Sequence, residues 1–566
     1  MRLYNAFLLF FLLSTSTLFA QKIDSVYIFF NTAPESSQKP AENISNQMTF
    51  NEWNKQQKKF LNLLFVNGYI DSGIDSMVTD SNKMMVYFYL GKKYFWKNLK
   101  ISSDDDAPLQ YELSTKFKNS QVNLYKLEKE IIHILEEYEN HGYPFVQIQL
   151  DSIFIENDSL SGIMKIKKGK YFTIDSIHIS GSAKIPEKYL HTVIEIKPGD
   201  QYQEYKLKTL DEKLKSIAFI EVTQPSEVIF GQDYCYIKIY ADNRKINRIS
   251  GILGLFPDNR SGKTLITGDV SLQLNNALHK AEKIAFQWKR IQVQTQQLSI
   301  QFDYPFVFNS IFGIDEDFRL FKRDTSFLDL QNKTGIQLIP DARQKLRLWV
   351  KQRNIGNLGS SSINYSLANV NQNSVGLGYM FNSTAGRIIP SKGIVANADF
   401  FVGRKSINDS FWKNYIESKS YQFEFSGTFT TYQSITKRQI VKIAISGYTL
   451  QYPVIFFSES QRIGGINSLR GFNEESIYAT SYATGLLEYM FLTDRSSYFS
   501  IFYNLAYYEQ DIVDGFFYDW PFGFGIGYTF ESKAGFFSVY YAVGREQKNP
   551  VDWLNGKIHF GLVNYF

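Results

Sequence analysis

Few residues of this chain have the types and spacing that chemistry at a site requires. The acidic run Asp104–Asp106 could open a calcium loop, but Leu109 stands where such a loop needs glycine and Thr115 where it needs glutamate. Gly262–Thr264 resembles the end of a phosphate-binding loop, but Pro257 replaces the first glycine of that motif. The six histidines show no metal-ligand spacing, and no Gly-x-Ser-x-Gly elbow occurs. We predict no catalytic residue, no metal site and no cofactor, and therefore a protein that is not an enzyme.

The charge balance argues against a nucleic-acid-binding protein, and the cysteine content excludes a fold held by intrachain disulfides. The chain has 61 basic and 56 acidic residues, a formal net charge of +5, and no basic run of the kind that binds nucleic acid. Its one cysteine, Cys235, cannot form an intrachain disulfide. Because Cys235 alternates with Ile237 and Ile239, we expect a small buried side chain there.

Residues 1–20 have the pattern of a secretory signal peptide. Arg2 provides the positive charge, Ala6–Leu13 form a short apolar core, and Leu18–Ala20 provide the cleavage site. An uncleaved anchor helix is the alternative, but the apolar core is too short for the ~30 Å of a bilayer. No run of about 18 apolar residues occurs elsewhere. A membrane-spanning part, if present, has to be a β-barrel.

A repeat fills the next part of the chain. Phe65–Tyr69 recurs as Glu139–Tyr143, 74 residues later, and each copy follows an amphipathic stretch. A Gly-Lys pair at Gly91 recurs at Gly169, 78 residues later. A third copy opens with a strand over Thr173–Ile179. Each unit has the order strand, helices, strand, strand, which predicts small α+β modules in series.

The repeat sets the predicted module boundaries. In the third module we expect a helix over Tyr205–Ser216 and strands around Glu221–Val222 and Cys235–Tyr240. The first module is the least regular, because a long polar loop follows its opening strand. The three predicted modules comprise residues 21–93, 94–170 and 171–242.

From about residue 243 helical periodicity disappears and alternating stretches follow. Residues 243–566, 324 in all, give about 20 residues to each of 16 strands, enough for a tilted membrane strand of ~9–11 residues and its turn. In Phe522–Phe530 every even position is large and apolar, and every odd position is glycine or threonine. No helix in the sequence covers the apolar face, so we expect lipid to cover it. We predict an all-β transmembrane barrel of 16 antiparallel strands; a large soluble β-sandwich or propeller is the alternative.

The C-terminal strand carries a second membrane signal. Ile558–Phe566 resembles the recognition signal of outer-membrane barrels, in which a polar residue, a glycine and a final aromatic residue are spaced along the last strand. His559, Gly561 and Phe566 match this pattern, whereas Asn564 stands where an apolar residue is usual.

Arg462–Phe472 is the most specific motif in the chain. It resembles the Gly-Gly…(Val/Leu)-Arg-Gly-(Phe/Tyr) loop motif of the BamA/TamA surface-antigen family of outer-membrane assembly barrels. In that family, periplasmic modules called POTRA domains precede a 16-stranded barrel, so the resemblance implies the same order here. A chain with three such modules is closest to the TamA arrangement. For the motif itself, the competing interpretation is an ordinary exposed hairpin turn. The matching residues are Gly464, Gly465, Arg470, Gly471 and Phe472.

The resemblance also implies that this loop folds back into the barrel, where its arginine meets acidic groups. The matching positions are Glu488 and Asn504, which alternation places on the lumen side. The family has Asp and Gly where this chain has Asn504 and Ala506, so one expected charge is missing. We expect Arg470 to pair with Glu488 and to hydrogen-bond Asn504. Small wall residues are expected to let the loop backbone approach closely, namely Gly523, Gly525 and Gly527.

These inferences favour an assembly factor in the bacterial outer membrane, with its modules in the periplasm. Unfolded outer-membrane or secreted client proteins would add strands to the module sheets and then pass to a lateral seam of the barrel. We expect this seam between Arg248–Phe256 and Ile558–Phe566, weakened by Gly561 and Asn564. The expected partners are client proteins and the lipid bilayer; an inner-membrane or periplasmic partner protein is left open.

Two other functions are compatible with parts of the pattern. A dedicated two-partner-type secretion pore of the same superfamily would export one or a few proteins, although such pores usually have two modules and an N-terminal plug helix. A passive porin would need no modules. Broad loss of outer-membrane barrels on depletion would indicate assembly, loss of one exported protein would indicate secretion, and steady large bilayer currents would indicate a porin.

Overall fold

The structure is a computed structural model, and it divides the described chain into two compact units. One unit comprises the described residues up to Thr173 together with Gln201–Glu204, and the other comprises Ile174–Asp200 and Tyr205–Phe566. The predicted signal peptide, the acidic run Asp104–Asp106 and residues 262–263 lie outside the described residues. The described ranges are 25–31, 47–80, 82–102, 115–257, 264–292, 295–341, 343–359, 367–384, 389–409, 411–494, 496–532, 535–547, 551, 553–554 and 556–566.

The first unit contains two four-stranded sheets, each accompanied by a helix of 17 residues. The strand order is β2-β1-β4-β3 in the first sheet and β6-β5-β8-β7 in the second. The first sheet and its helix consist of β1 (Ser25–Asn31), β2 (Gln47–Met48), α1 (Phe50–Val66), β3 (Gly73–Asp80) and β4 (Lys83–Tyr89). The second consists of β5 (Phe95–Ile101), β6 (Ser120–Gln121), α2 (Leu124–Asn140), β7 (Gln147–Glu156) and β8 (Ser159–Lys167).

The two long helices begin and end where their sequences provide caps. Thr49 and Glu52 form a reciprocal capping box at the start of α1, and the Asn123 side chain accepts a hydrogen bond from the Lys126 backbone at the start of α2. Each helix is followed by a glycine in the left-handed region, Gly68 with φ +86° and Gly142 with φ +91°. These glycines belong to the repeated Gly-Tyr motif, which therefore marks the ends of the helices.

None of the helices in the described ranges is long and apolar enough to cross a membrane.

The second unit begins with a three-stranded sheet in the order β10-β11-β9. The predicted helix over Tyr205–Ser216 is divided at Thr209, whose hydroxyl donates to the carbonyls of Tyr205 and Lys206. A further helix, absent from the sequence prediction, precedes it. The elements are β9 (Ser176–Ser180), α3 (Glu187–Ile194), α4 (Glu204–Lys208), α5 (Leu210–Lys215), β10 (Ile220–Phe230) and β11 (Cys235–Asn243). Cys235 is fully buried in this sheet, as its alternation predicted.

A closed antiparallel barrel follows, and the prediction of 16 strands is confirmed. One of the 16 is interrupted at Trp520–Pro521, so that β27 and β28 both pair with β26. The first half is β12 (Arg248–Pro257), β13 (Thr264–Asn275), β14 (Lys283–Gln292), β15 (Thr295–Tyr304), β16 (Phe312–Arg323), β17 (Phe327–Asp341), β18 (Gln344–Asn357) and β19 (Val370–Asn382). The second half is β20 (Gly393–Ile407), β21 (Lys419–Thr436), β22 (Gln439–Gln451), β25 (Ser481–Leu492), β26 (Tyr498–Ile512), β27 (Gly515–Asp519), β28 (Phe522–Ser532), β29 (Gly535–Arg545) and β30 (Lys557–Tyr565).

Alternation along each barrel strand separates an apolar exterior from a polar interior. On β26, Ile501 and Tyr503 are exposed on the outside, whereas Phe502 and Asn504 are buried inside. On β25, Leu487 is exposed and Glu488 is buried. An outward belt of large apolar residues is the surface that acyl chains cover in a membrane barrel. The lumen receives the charged side chains, each of which then needs a partner.

The barrel closes through a short contact between its first and last strands. Only three residue pairs join β12 to β30: Arg248 to Tyr565, Ile249 to Asn564 and Ser250 to Val563. Ten pairs join β12 to β13 on its other side. The backbone of Phe566 donates to the carbonyl of Asn247 at 2.8 Å, so the end of β30 is attached where the chain enters β12.

Candidate functional site

The connection between β22 and β25 folds into the barrel lumen. We call residues 452–480 the inward segment; it contains a small two-stranded sheet of β23 (Gln461–Ile463) and β24 (Ile477–Ala479). Its side chains at Ile463, Leu469 and Phe472 are buried in one cluster with Ala506 and Tyr508 of β26. Because Leu505 and Tyr503 of the same strand face outward, this cluster lies on the inner wall.

Arg470 lies at the centre of the inward segment and forms a bidentate ion pair with Glu488. Its two terminal nitrogens donate to the two carboxylate oxygens at 2.9 and 3.3 Å. The centre of the guanidinium also lies 4.6 Å from the ring centroid of Phe502 and 4.3 Å from that of Tyr540, and these two rings pack edge to face with their centroids 5.9 Å apart. The cation is thus matched by one carboxylate at its edge and by two adjacent aromatic rings.

Asn504 does not join this pair, and the prediction of a hydrogen bond from Arg470 is wrong. The Oδ1 atom of Asn504 is buried and has no hydrogen-bond partner in the structure. The reason is that Glu488 already occupies the donating edge of the guanidinium, and its second cation is Lys442 at 3.6 Å. Asn504 is paired in register with Leu486 and with Gly523, so it is a wall residue beside the site.

The backbone of the loop rests against glycines of the wall. A Cβ atom added to Gly523 would lie 2.1 Å from the carbonyl oxygen of Arg470, and one added to Gly544 would lie 2.7 Å from that of Gly471. Gly471 itself has φ +97° and contacts the backbone of Val543 and Gly544. The absence of side chains at these positions is what allows the loop to approach β28 and β29.

The other two glycines of β28 have a different role from the one predicted. An added Cβ at Gly525 would meet the ring of Phe502 at 2.8 Å, and one at Gly527 would meet the ring of Tyr540 at 2.2 Å. An added Cβ at Gly525 would lie even closer, 2.0 Å, to the backbone oxygen of Tyr541, so these glycines allow close packing of the wall and of the two rings near Arg470 and do not face the loop backbone. Gly544, which the sequence analysis missed, faces the loop instead.

The closing strand contacts the loop through His559. The Nε2 atom of His559 accepts a hydrogen bond from the backbone nitrogen of Gly471 at 3.3 Å. Gly561 is paired with Ser538 of β29, and an added Cβ there would lie 3.8 Å from Ile466 of the loop. The loop that carries Arg470 is thus in contact with the same strand that closes the barrel.

The double glycine opens a turn that is held by charge pairs. Gly464 and Gly465 have φ of +118° and +94°, a conformation that side chains disfavour. Beyond the turn, Glu475 accepts from the Arg462 side chain at 2.9 Å and lies 3.4 Å from the Lys289 Nζ atom. These contacts join the two ends of the turn to each other through Arg462 and Glu475, and join the Glu475 end to β14 through Lys289.

A second anchor, missed by the sequence analysis, fixes the start of the inward segment. Glu459 is fully buried, and its carboxylate accepts from the Lys405 ammonium at 2.6 Å and from the Phe456 backbone at 2.8 Å. The side chains of Gln372 and Tyr452 donate to the other oxygen. Four donors around one buried carboxylate compensate its desolvation.

The inner face of β18 carries a column of cations, which the sequence analysis also missed. Basic residues occupy alternate positions from Lys345 to Arg353, broken only by Trp349, and this spacing was the available signal. Each cation has a carboxylate partner on another strand. The pairs are Lys345 with Asp303, Arg347 with Asp315, Lys351 with Glu424 and Arg353 with Asp329.

In the described part of the chain, no group of three or more His, Cys, Asp or Glu side chains is arranged to hold a metal ion.

Known proteins resemble this chain in one module and in the fold. A family model described as a surface antigen variable number repeat, POTRA, matches residues 172–221. CdiB from Escherichia coli is 14% identical, with 91% of this chain and 98% of that chain covered at a TM-score of 0.52. CdiB from Acinetobacter baumannii is 13% identical, with 90% and 98% covered at a TM-score of 0.50. BamA from Haemophilus ducreyi lacking POTRA domains 1–3 is 14% identical, with 83% and 99% covered at a TM-score of 0.44. No curated protein sequence matches the chain.

The barrel, the POTRA match and the shared fold define the class as a 16-stranded β-barrel protein with a POTRA-type module before the barrel. These findings agree with the BamA/TamA-like resemblance that the Arg-Gly-Phe motif indicated, and the membership of the chain in that superfamily stays a prediction. The closeness of the chain to the TamA arrangement also stays a prediction.

Proposed function

We propose that the protein assembles or transports client proteins at the bacterial outer membrane by opening a lateral seam between β12 and β30. The observation that carries this proposal is the short closing contact of three residue pairs, against ten between β12 and β13. Strands in a bilayer separate only if their backbone groups find new partners. An incoming client strand provides those partners, so a seam with few pairs is the place where it enters.

The inward segment would control this seam. It contacts β30 at His559 and β29 through Tyr540, and Glu488 of β25 forms the ion pair with its Arg470. Release of this contact would free the inner face of the closing strand. We therefore assign Arg470, Gly471 and Phe472, together with Gly464 and Gly465, to the control of the seam.

The modules would deliver clients by strand addition. β7 is ten residues long and lies at the edge of its sheet, with Ile153, Phe154 and Ile155 exposed in sequence. An edge strand of this length with exposed apolar residues is a template for an extended partner chain. We propose that residues 21–93, 94–170 and 171–242 are three POTRA modules in the periplasm, and that residues 1–20 are a cleaved signal peptide.

The alternative is a dedicated secretion pore. Passage through the lumen would require the inward segment to leave, and with it the buried pairs of Arg470 and Glu459. A lateral route leaves Glu459 and the cations of β18 in place. This difference supports assembly over secretion, and the two are separated by depletion of the protein. Assembly predicts a broad loss of outer-membrane barrels, whereas secretion predicts the loss of one or a few exported proteins.

A disulfide across the seam tests the mechanism. Ser250→Cys with Val563→Cys joins two registered partners on β12 and β30. We expect oxidation to abolish client assembly and reduction to restore it. The native cysteine does not interfere, because burial raises the pKa of the Cys235 thiol to about 11 and keeps it protonated.

The matched control places the same disulfide inside the wall. Ser271→Cys with Gln287→Cys joins registered partners on β13 and β14, and should leave assembly unchanged under both conditions. Client assembly that continues with the β12–β30 pair fully oxidised would contradict the proposal.

A further inference from the structure

An apolar groove lies on the outer wall of the barrel, at the end where β16 and β18 begin. Its volume is about 940 Å³, within the range of about 300–1,000 Å³ that small-molecule sites occupy. Strands β16 to β21 form its floor, and the turn between β15 and β16 forms one side. None of the residues that line the groove belongs to β12 or β30, the strands of the proposed seam.

The floor of the groove is a continuous row of apolar side chains in register. Each member is the direct cross-strand partner of the next, and all six are exposed. The row is Ile314, Ile336, Leu348, Leu377, Phe400 and Phe425. Six paired strands at about 4.8 Å spacing make a strip about 24 Å long. An elongated strip of this kind fits a linear hydrocarbon better than a compact molecule.

The groove is deepest beside this row, where the next outward-facing row of the same strands contains small residues. Ala398 pairs with Tyr379 on one side and with Gly427 on the other, so two small positions interrupt a wall of large outward residues. Ala398 lines the groove directly.

The turn beside the groove carries an exposed aromatic side chain. Phe308 is 96% exposed and has φ +52°, a conformation that is unfavourable for a bulky residue. Ile311 in the same turn is also exposed. A turn with these residues is suited to the interface between the apolar layer of a leaflet and water, where aromatic residues of membrane barrels collect.

We propose that this groove is a binding site for the acyl chains of one phospholipid. The lining row continues into the outward apolar belt at Val350, Val375 and Phe423, so hydrocarbon is the medium that reaches it. The depression at Ala398 and the side formed by Phe308 distinguish it from the rest of the belt. A lipid held there remains bound when the surrounding lipids exchange. This inference depends on membrane insertion of the barrel and not on how clients are handled.

Lipid retention by the full-length protein tests the site. The protein is reconstituted into vesicles of phosphatidylethanolamine and phosphatidylglycerol, transferred to mild detergent, and examined by native mass spectrometry for bound phospholipid. We expect the unmodified chain to keep one phospholipid per molecule. Each acyl methylene that loses its apolar contact weakens binding about fourfold. Leu377→Trp, which fills the floor, should therefore lower occupancy by about tenfold or more.

The control places the same substitution outside the groove. Ile501→Trp alters an outward residue of β26 that is 63% exposed, close to the 65% of Leu377, and should leave occupancy unchanged. Ala398→Leu is a second filling variant, used if Leu377→Trp fails to fold by gel mobility before and after heating. Equal retention in filled and control variants, or a retained peptide in place of lipid, would overturn the proposal. The seam test does not involve these residues, so failure here leaves the proposed function standing.

Discussion

Arg470 is the residue on which the lumen site depends most. Its guanidinium satisfies Glu488 in a bidentate pair and contacts the rings of Phe502 and Tyr540. Lys is expected to replace Arg only in part, because an ammonium cannot make the fork of two hydrogen bonds to one carboxylate. The remaining cation near Glu488 is Lys442, at 3.6 Å.

Arg470→Ala should lower the free energy of unfolding by about 3 kcal/mol, because it leaves the Glu488 carboxylate buried with a distant partner. The free energy of unfolding of Arg470→Lys should lie between that of the unmodified protein and that of Arg470→Ala. Urea titration of the folded protein in detergent measures the difference. Arg438→Ala removes an exposed arginine at the turn before β22 and should have no measurable effect. Equal stability of the Arg470→Ala and Arg438→Ala variants would show that the ion pair contributes nothing.

Gly523→Ala should displace the loop from the wall, because the added methyl group would lie 2.1 Å from a backbone oxygen. We expect a loss of about 1–3 kcal/mol and faster proteolysis within residues 464–472. In Gly485→Ala the methyl group would meet its nearest neighbour at 3.9 Å, and this variant serves as the control. Unchanged proteolysis in Gly523→Ala would mean that the loop does not need the close approach.

At the scale of elements, the edge strand β7 and the closing strand β30 have complementary roles in the proposal. β7 offers unpaired length and exposed apolar residues to an extended client. β30 keeps seven registered pairs with β29 but only three with β12. A client strand held on β7 therefore has a destination with unsatisfied pairing capacity.

Ile153→Lys with Ile155→Lys should weaken client capture, since charges on an edge strand oppose strand addition. Site-specific crosslinking between the modules and an unfolded barrel client provides the measurement, with a several-fold decrease expected. Ile132→Lys changes an exposed isoleucine on α2 and is the matched control. If both sets of variants crosslink equally well, β7 is not the capture edge.

At the scale of the whole barrel, the lumen is occupied by ion pairs and by the inward segment. Lys405 with Glu459, Lys351 with Glu424 and Arg353 with Asp329 are all buried inside the wall. A lumen filled in this way differs from that of a diffusion pore, which keeps an open aqueous channel.

Planar-bilayer recording should therefore find the unmodified protein closed for most of the time. Glu459→Ala removes the carboxylate that anchors the segment and leaves Lys405 without its charged partner. If this change destabilises the closed state, with the segment inside the lumen, by about 3 kcal/mol, the open probability should increase by about 100-fold. Glu417→Ala, at an exposed position between β20 and β21, should not change the currents. Steady large currents from the unmodified chain would favour a porin instead.

The sequence alone predicted the elements whose signals are local. Alternation in Phe522–Phe530 marked the inner and outer faces of β28, and the Gly-Tyr repeat marked the helix ends at Gly68 and Gly142. The inner positions of Glu488 and Asn504 followed from the same period of two residues. These inferences need no knowledge of distant neighbours, because side-chain direction in a strand is fixed by its own backbone.

Only the tertiary structure decided which of these residues meet. Glu459 lies 54 residues from Lys405 along the chain and His559 lies 88 from Gly471, and no local pattern connects them. The sequence also did not show that Arg470 contacts two aromatic rings where a hydrogen bond to Asn504 was predicted. Nor did it show that Gly544 faces the loop where Gly525 was predicted to do so. Partners inside a barrel are set by the register of all 16 strands together, and register is a property of the closed sheet.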